Sequence, residues 1–173
     1  EEIAYWINVY NAFTIDLILE HYPVKSIKDI GSSIQIPFVN TPWDIKFIEI
    51  GGETYDLNNV EHGILRKKWK EPRVHFAINC ASMSCPKLLD EAYTAGKINE
   101  QLDRATEEFI NSDKNEISKN SAKLSSIFDW YKKDFISDKT PTIIDYVNQY
   151  STTKINSGTN VSYKNYDWKL NEQ

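Results

Sequence analysis

The stretch PRVHFAINCASMSCP, residues 72–86, carries both cysteines of the chain, Cys80 and Cys85, together with His75. Two thiols and an imidazole this close offer three kinds of chemistry. The first is nucleophilic. Cysteine attacks as thiolate, which needs a base or a positive field beside it, and histidine is the usual partner. In that reading Cys80 is the nucleophile and His75 the base, with His62 as the alternative base. The group that orients the base is Glu61, Asn79 or Asn11. The second chemistry is a Cys80–Cys85 disulfide. Closing so short a loop contributes about 2 kcal/mol in the chain-entropy picture, implies an oxidising compartment, and silences Cys80. The third is metal binding by His62, His75, Cys80 and Cys85. The residue types suit zinc, but no C-x-x-C or H-x-x-x-H pair is present, so no metal and no other cofactor is expected. Ser82 and Ser84 lack the G-x-S-x-G setting of a nucleophile elbow and read as turn formers.

These side chains need elements to hold them. Arg73 to Asn79 alternates, with Val74, Phe76 and Ile78 on one side, which predicts a strand with one face in the core. His75 then lies on its second face. Five positions separate His75 from Cys80, so a bend after Asn79, at Ala81-Ser82, is required to bring them together. Ahead of this strand, Ile3 to Tyr22 predicts a helix that is apolar over most of its circumference and therefore buried, ended by Pro23. Asn8 and Asn11 lie a turn apart inside it and must find partners there. They read first as core brackets bonded to neighbouring backbone. Trp43 to Leu57 predicts a hairpin turning at Gly51-Gly52. Asp56 caps a helix over 57–69 that carries Glu61 and His62. Arg66 and Arg73 flank the following connection, where they pair with internal acids such as Glu61 or receive a carboxylate or phosphate.

Beyond Pro86, helices are expected over 88–110 (with an interruption at Gly96), 125–135 and 142–150, and a last strand within 160–168. The polar stretch 111–121 reads as a surface loop or hairpin turn. The YKNYDW segment, 163–168, either lines a groove or seals the core edge. No repeat or linker divides the 173 residues, which is the size of one domain with a real core. The order of elements argues for an α+β fold, with the amino-terminal helix buried against a small antiparallel sheet. A net charge of −5 with mixed signs leaves no electrostatic footprint for nucleic acid. No apolar run is long enough to span a bilayer. The chain begins at Glu1 without a methionine and reads as a piece of something longer, so a missing signal peptide says nothing about compartment.

The helix AYWINVYNAFTIDLILEHYP, the segment VEHGILRKKW, the PRVHFAINCASMSCP stretch, LSSIFDWYKKDF and the terminal YDWKLNE together resemble the family called domain of unknown function 547. The blocks run in order from Ala4 to Glu172. One departure is Lys87, where the resemblance leads one to expect a second proline. The resemblance implies that the domain extends upstream of Glu1. It also implies that Asn8, Asn11, Glu61, His62, His75, Asn79, Cys80 and Cys85 belong to the family pattern. Bacterial relatives are commonly exported or lipid-anchored, which favours a periplasmic or cell-surface location and an oxidised cysteine pair. Plant relatives carry the domain behind coiled coils, as a scaffold would. A buried helix beside a sheet bearing a histidine is also similar to papain-like and transglutaminase-like folds. In those folds the thiol sits at the amino end of the buried helix, a position held here by Trp6 to Asn8. Two functions therefore stand at this point. One is a cysteine-dependent hydrolase or acyl transferase acting on amide or thioester bonds. The other is an exported binding or scaffold module for a peptide, glycan or small-molecule ligand, stapled by Cys80–Cys85.

Overall fold

The computed structural model describes residues 1–31 and 41–171, so the second half of the predicted loop region 24–39 lies outside the described residues. Helix α1, Glu2–His21, opens the chain and stops where Pro23 forbids continuation. Its inner side carries Ile7, Tyr10 and Leu17 in full burial. The expectation of a helix buried all round is corrected here, because Tyr5, Ile15 and Leu19 are exposed along its outer side. Strands β1, Ile48–Ile50, and β2, Glu53–Tyr55, form the expected hairpin, pairing Ile50 with Glu53. Gly51 and Gly52 both take positive φ between them, which the tight hairpin turn requires and glycine allows without strain.

Asp56 caps the next helical run as expected, its Oδ1 accepting from the Asn59 N–H at 2.6 Å. The run is not plain α-helix. It contains a π-helix, Asn59–Leu65, leading into α2, Arg66–Lys68. Glu61 is buried on its inward side and His62 is exposed beside it.

The predicted strand over 73–79 is absent. Pro72–Phe76 is a 3-10 helix, with the Glu71 side chain accepting from the Arg73 N–H at its start and Pro72 in its first turn. The alternation misled because both sides of this segment are buried. Val74, Ala77 and Ile78 pack into one apolar cluster with α1, the hairpin and the π-helix. Phe76 packs into a second cluster built mainly from later residues. Alternating apolar residues thus mark a segment lying between two cores, not a strand between core and solvent. His75 therefore rides on a 3-10 turn and not on a strand.

Helix α3, Ile98–Ile110, begins only after Gly96, so the helix expected over 88–97 is not formed. The polar stretch turns into a hairpin of β3, Glu116–Ser118, and β4, Ser121–Leu124. Two short helices follow, α4, Ile127–Trp130, and α5, Lys132–Phe135. Then α6, Ile143–Tyr150, starts at a capping box in which Thr142 and Asp145 satisfy each other. Strand β5, Val161–Tyr163, lies parallel to β4 and completes a three-stranded sheet in the order β3-β4-β5. The molecule is α+β, as read from the order of elements. Among the described residues no helix is long and apolar enough to cross a membrane.

Candidate functional site

The bend expected at Ala81-Ser82 is present. Ala81 sits at φ +58, a left-handed backbone that costs an alanine about 1–2 kcal/mol. Asn79 holds it there. Its side-chain oxygen accepts from the Ala81 N–H at 2.7 Å, and its amide donates to the Pro86 carbonyl at 2.8 Å. Asn11 holds Asn79 in turn, accepting from the Asn79 N–H at 2.9 Å and donating to the Ala77 carbonyl at 2.9 Å. Asn8 makes the same paired contact with the backbone of Tyr93. Both asparagines of α1 are therefore brackets for distant backbone. Asn11 faces a groove on the other side of the bend and does not line the pocket described below.

The bend curls Cys80 and Cys85 towards each other without joining them; both are free thiols. The expected disulfide is not formed. The Cys80 backbone N–H donates to Cys85 Sγ at 3.0 Å and the Ser82 hydroxyl donates to the same sulfur at 3.2 Å. The Tyr166 hydroxyl lies 3.3 Å from each sulfur. It arrives there because the chain end lies along the loop, Met83 N–H bonding to the Lys169 carbonyl and Asp167 N–H to the Ser84 hydroxyl. Burial pushes the Cys85 thiol up, but hydrogen bonds from Cys80, Ser82 and Tyr166 overcome this and bring it down. Cys80 moves the other way, raised by its bond to Cys85 and by burial. The pair is thus asymmetric, with Cys85 the more acidic thiol.

Both sulfurs line a pocket of about 400 Å³. Its floor holds a buried carboxylate, Glu61, which accepts from the Tyr10 hydroxyl at 3.5 Å and from Tyr131. Burial and the nearby Glu61 charge raise both tyrosines, so they stay protonated and donate. Trp43, Trp130, Tyr166 and Trp168 line its aromatic side, with Trp130 and Trp168 stacked at 5.9 Å between ring centroids. Tyr166 lies 4.6 Å from Trp168 by the same measure.

His75 lines the same pocket, but its Nε2 donates to Asp134 Oδ2 at 2.8 Å and its ring stacks on Tyr131 at 4.0 Å. No imidazole hydrogen-bonds to either sulfur among the described residues. The strand that was to aim His75 at Cys80 is a 3-10 turn, which points the ring at Asp134 instead. Asp134 is the acid hydrogen-bonded to this ring; Glu61, Asn79 and Asn11, the sequence candidates for an orienting group, make other bonds. His62 is engaged elsewhere. Arg66 Nη1 donates to its Nδ1 at 3.0 Å, and a guanidinium only donates, so that nitrogen carries no proton. Its approach to Glu61 at 3.8 Å is then not an ion pair. Arg66 also clamps Asp134 with two hydrogen bonds, at 2.6 and 3.1 Å.

Partial burial pushes the Asp134 carboxyl up, while hydrogen bonds from His75 and Arg66 and their charge hold it well below the usual carboxylate range. The folded state therefore binds this proton less readily than the unfolded chain. The stabilisation is complete above the ordinary Asp value of about 4 and is lost as pH falls through the lowered folded value. Asp134→Asn is expected to flatten the acid limb of the stability curve below about pH 4. Urea melts across that range check it, and an unchanged limb refutes it.

Comparisons with curated proteins and with solved structures found no match. The family model described as "Protein of unknown function, DUF547" matches residues 1–110. That span includes α1, the π-helix and the whole 72–86 stretch. It stops short of the LSSIFDWYKKDF and YDWKLNE blocks, and so of Asp134 and Tyr166. By that match, over more than half its length, the chain belongs to the DUF547 family.

Proposed function

We propose that the pocket is the active site of a cysteine-dependent hydrolase or acyl transferase acting on an amide or thioester. The observation that carries this reading is the thiol pair, in which Cys85 accepts hydrogen bonds from a backbone N–H and two hydroxyls at the wall of a ligand-sized cavity. Cys80, the less buried of the two residues, attacks the carbonyl carbon as its proton passes to Cys85. A C–S bond forms and a tetrahedral oxyanion develops, for which the Tyr166 hydroxyl is a nearby donor. The C–N or C–S bond to the leaving group then breaks and the leaving group takes the proton from Cys85. His75, oriented by Asp134, lines the same pocket. Water or a second acceptor releases the acyl group from Cys80.

Iodoacetamide labelling mapped by mass spectrometry tests the reading. Cys80 should alkylate at neutral pH only with Cys85 beside it to take its proton, and the reaction should fade on acidification as Cys85 is protonated. Cys85→Ser should slow it about tenfold or more. A p-nitrophenyl ester should give a burst of p-nitrophenol that Cys80→Ser abolishes. Labelling confined to Cys85, or labelling of Cys80 indifferent to Cys85→Ser, sinks the proposal.

A second reading, a pocket that binds without reacting, draws support from the absence of a thiol–imidazole bond and from the four aromatic side chains. Its ligand is a peptide, glycan or small molecule with a flat face for Trp130 and Trp168. Under that reading tryptophan fluorescence responds to ligand equally in the parent and in Cys80→Ser.

A further inference from the structure

On the far side of Asp134 from the thiol pocket lies a second cavity of about 750 Å³, lined by the end of α2, the 3-10 helix, α5 and α6. The chain as a whole is acidic, at −5, yet this cavity gathers Arg66, Lys70, Arg73, Lys133 and Lys139 against two carboxylates, Glu71 and Asp134. Both carboxylates are taken. Arg66 clamps Asp134, and Arg73 binds Glu71 and also Asp103. Lys70, Lys133 and Lys139 make no ion pair among the described residues, so their charge stands uncompensated. Separately, Tyr146 lines the cavity, is buried to 4% exposure, and its hydroxyl has no hydrogen-bond partner. A buried hydroxyl without a partner costs about 1–3 kcal/mol in mutational terms, and burial first, then the nearby Tyr150 and Glu71, keep its proton in place.

We infer that this cavity is a binding site for a phosphate group carried by a larger molecule. Three uncompensated lysines and a donating hydroxyl match a dianion with three terminal oxygens better than a carboxylate with two. Lysines act on phosphate as point charges and need no fixed fork. The volume falls in the range of small-molecule sites and exceeds what a bare phosphate fills. Trp69 and Tyr150 beside the cations give the rest of the ligand an apolar wall. The site stands on the charges and Tyr146 alone and does not depend on the thiol chemistry.

Calorimetric titration with inorganic pyrophosphate at low ionic strength tests it. Saturable binding is expected, weakened about tenfold by Tyr146→Phe and lost in a Lys133→Glu/Lys139→Glu variant. The phenylalanine variant removes only an unpartnered hydroxyl, so its melting temperature should not fall, which separates loss of binding from loss of fold. Co-sedimentation with phosphatidylcholine vesicles containing a phosphoinositide identifies the source. Vesicle binding that needs Tyr146, without pyrophosphate binding, supports the site and assigns it a lipid headgroup. No saturable binding to either probe, binding unaffected by Tyr146→Phe, or equal binding to phosphatidylserine vesicles overturns the inference and leaves only diffuse attraction by surface lysines.

Discussion

Phe76→Ala should lower the unfolding free energy by about 3–5 kcal/mol, the range for emptying a fully buried aromatic position. For a chain of this length that is a fall in melting temperature on the order of 10 °C. The ring is fully buried, within 5.1–5.6 Å of Phe109, Phe128 and Phe135 by centroid distance. Its neighbours come from four different elements and from both sides of residue 110, so no single one can relax into the void. Phe76→Leu keeps most of the volume and should cost appreciably less. Thermal melts of the two variants check the ordering. A loss under about 1 kcal/mol for the alanine would mean that Phe76 is not the joint between the two clusters.

Asn11→Ala has an expected cost of similar size from a different cause. It strips partners from the Ala77 carbonyl and the Asn79 N–H, both in a buried stretch, and each orphaned group costs roughly 1–3 kcal/mol. It also releases Asn79, which holds Ala81 in its left-handed conformation. The thiols should therefore lose their arrangement along with the stability, and thiol labelling should slow as the melting temperature drops. A variant that melts like the parent but has lost ester cleavage would return Asn11 to a catalytic role.

Local chemistry made several elements legible. Gly51-Gly52 gave the hairpin, Asp56 the start of the helix bearing Glu61, Pro23 the end of α1, and the small residues after Asn79 the bend. What failed was the inference from periodicity to surroundings. Residues 73–79 alternate, but the pattern cannot say whether the second side meets solvent or another core, and Glu71-Pro72, a helix-start pair, was the available signal. In α1 an apolar outer side was read as buried when it is exposed. Of the candidate site residues, Cys80, His75, Glu61 and His62 line one pocket together with Cys85, and Asn11 lies outside it. Asp134 and Tyr166 were missed as site groups because their partners are 59 and 86 residues away. Nothing local marks Asp134 except its place beside Phe135, an anchor of the core. Arg66 and Arg73 do pair internally, Arg66 with Asp134 far along the chain and Arg73 with Glu71 two residues away.

The π-helix Asn59–Leu65 bears on which changes in chain length this protein tolerates. Its wider winding accommodates one more residue than the same path would hold at 3.6 per turn. Removing one codon there, at Gly63 for example, lets the run tighten to ordinary α-winding along the same path, so the flanking residues keep their facing. Glu61 precedes that point and Arg66 follows it, and both would hold their sides of the molecule. The same deletion inside α1, which has no residue to spare, would turn whatever follows by roughly 100° about the axis.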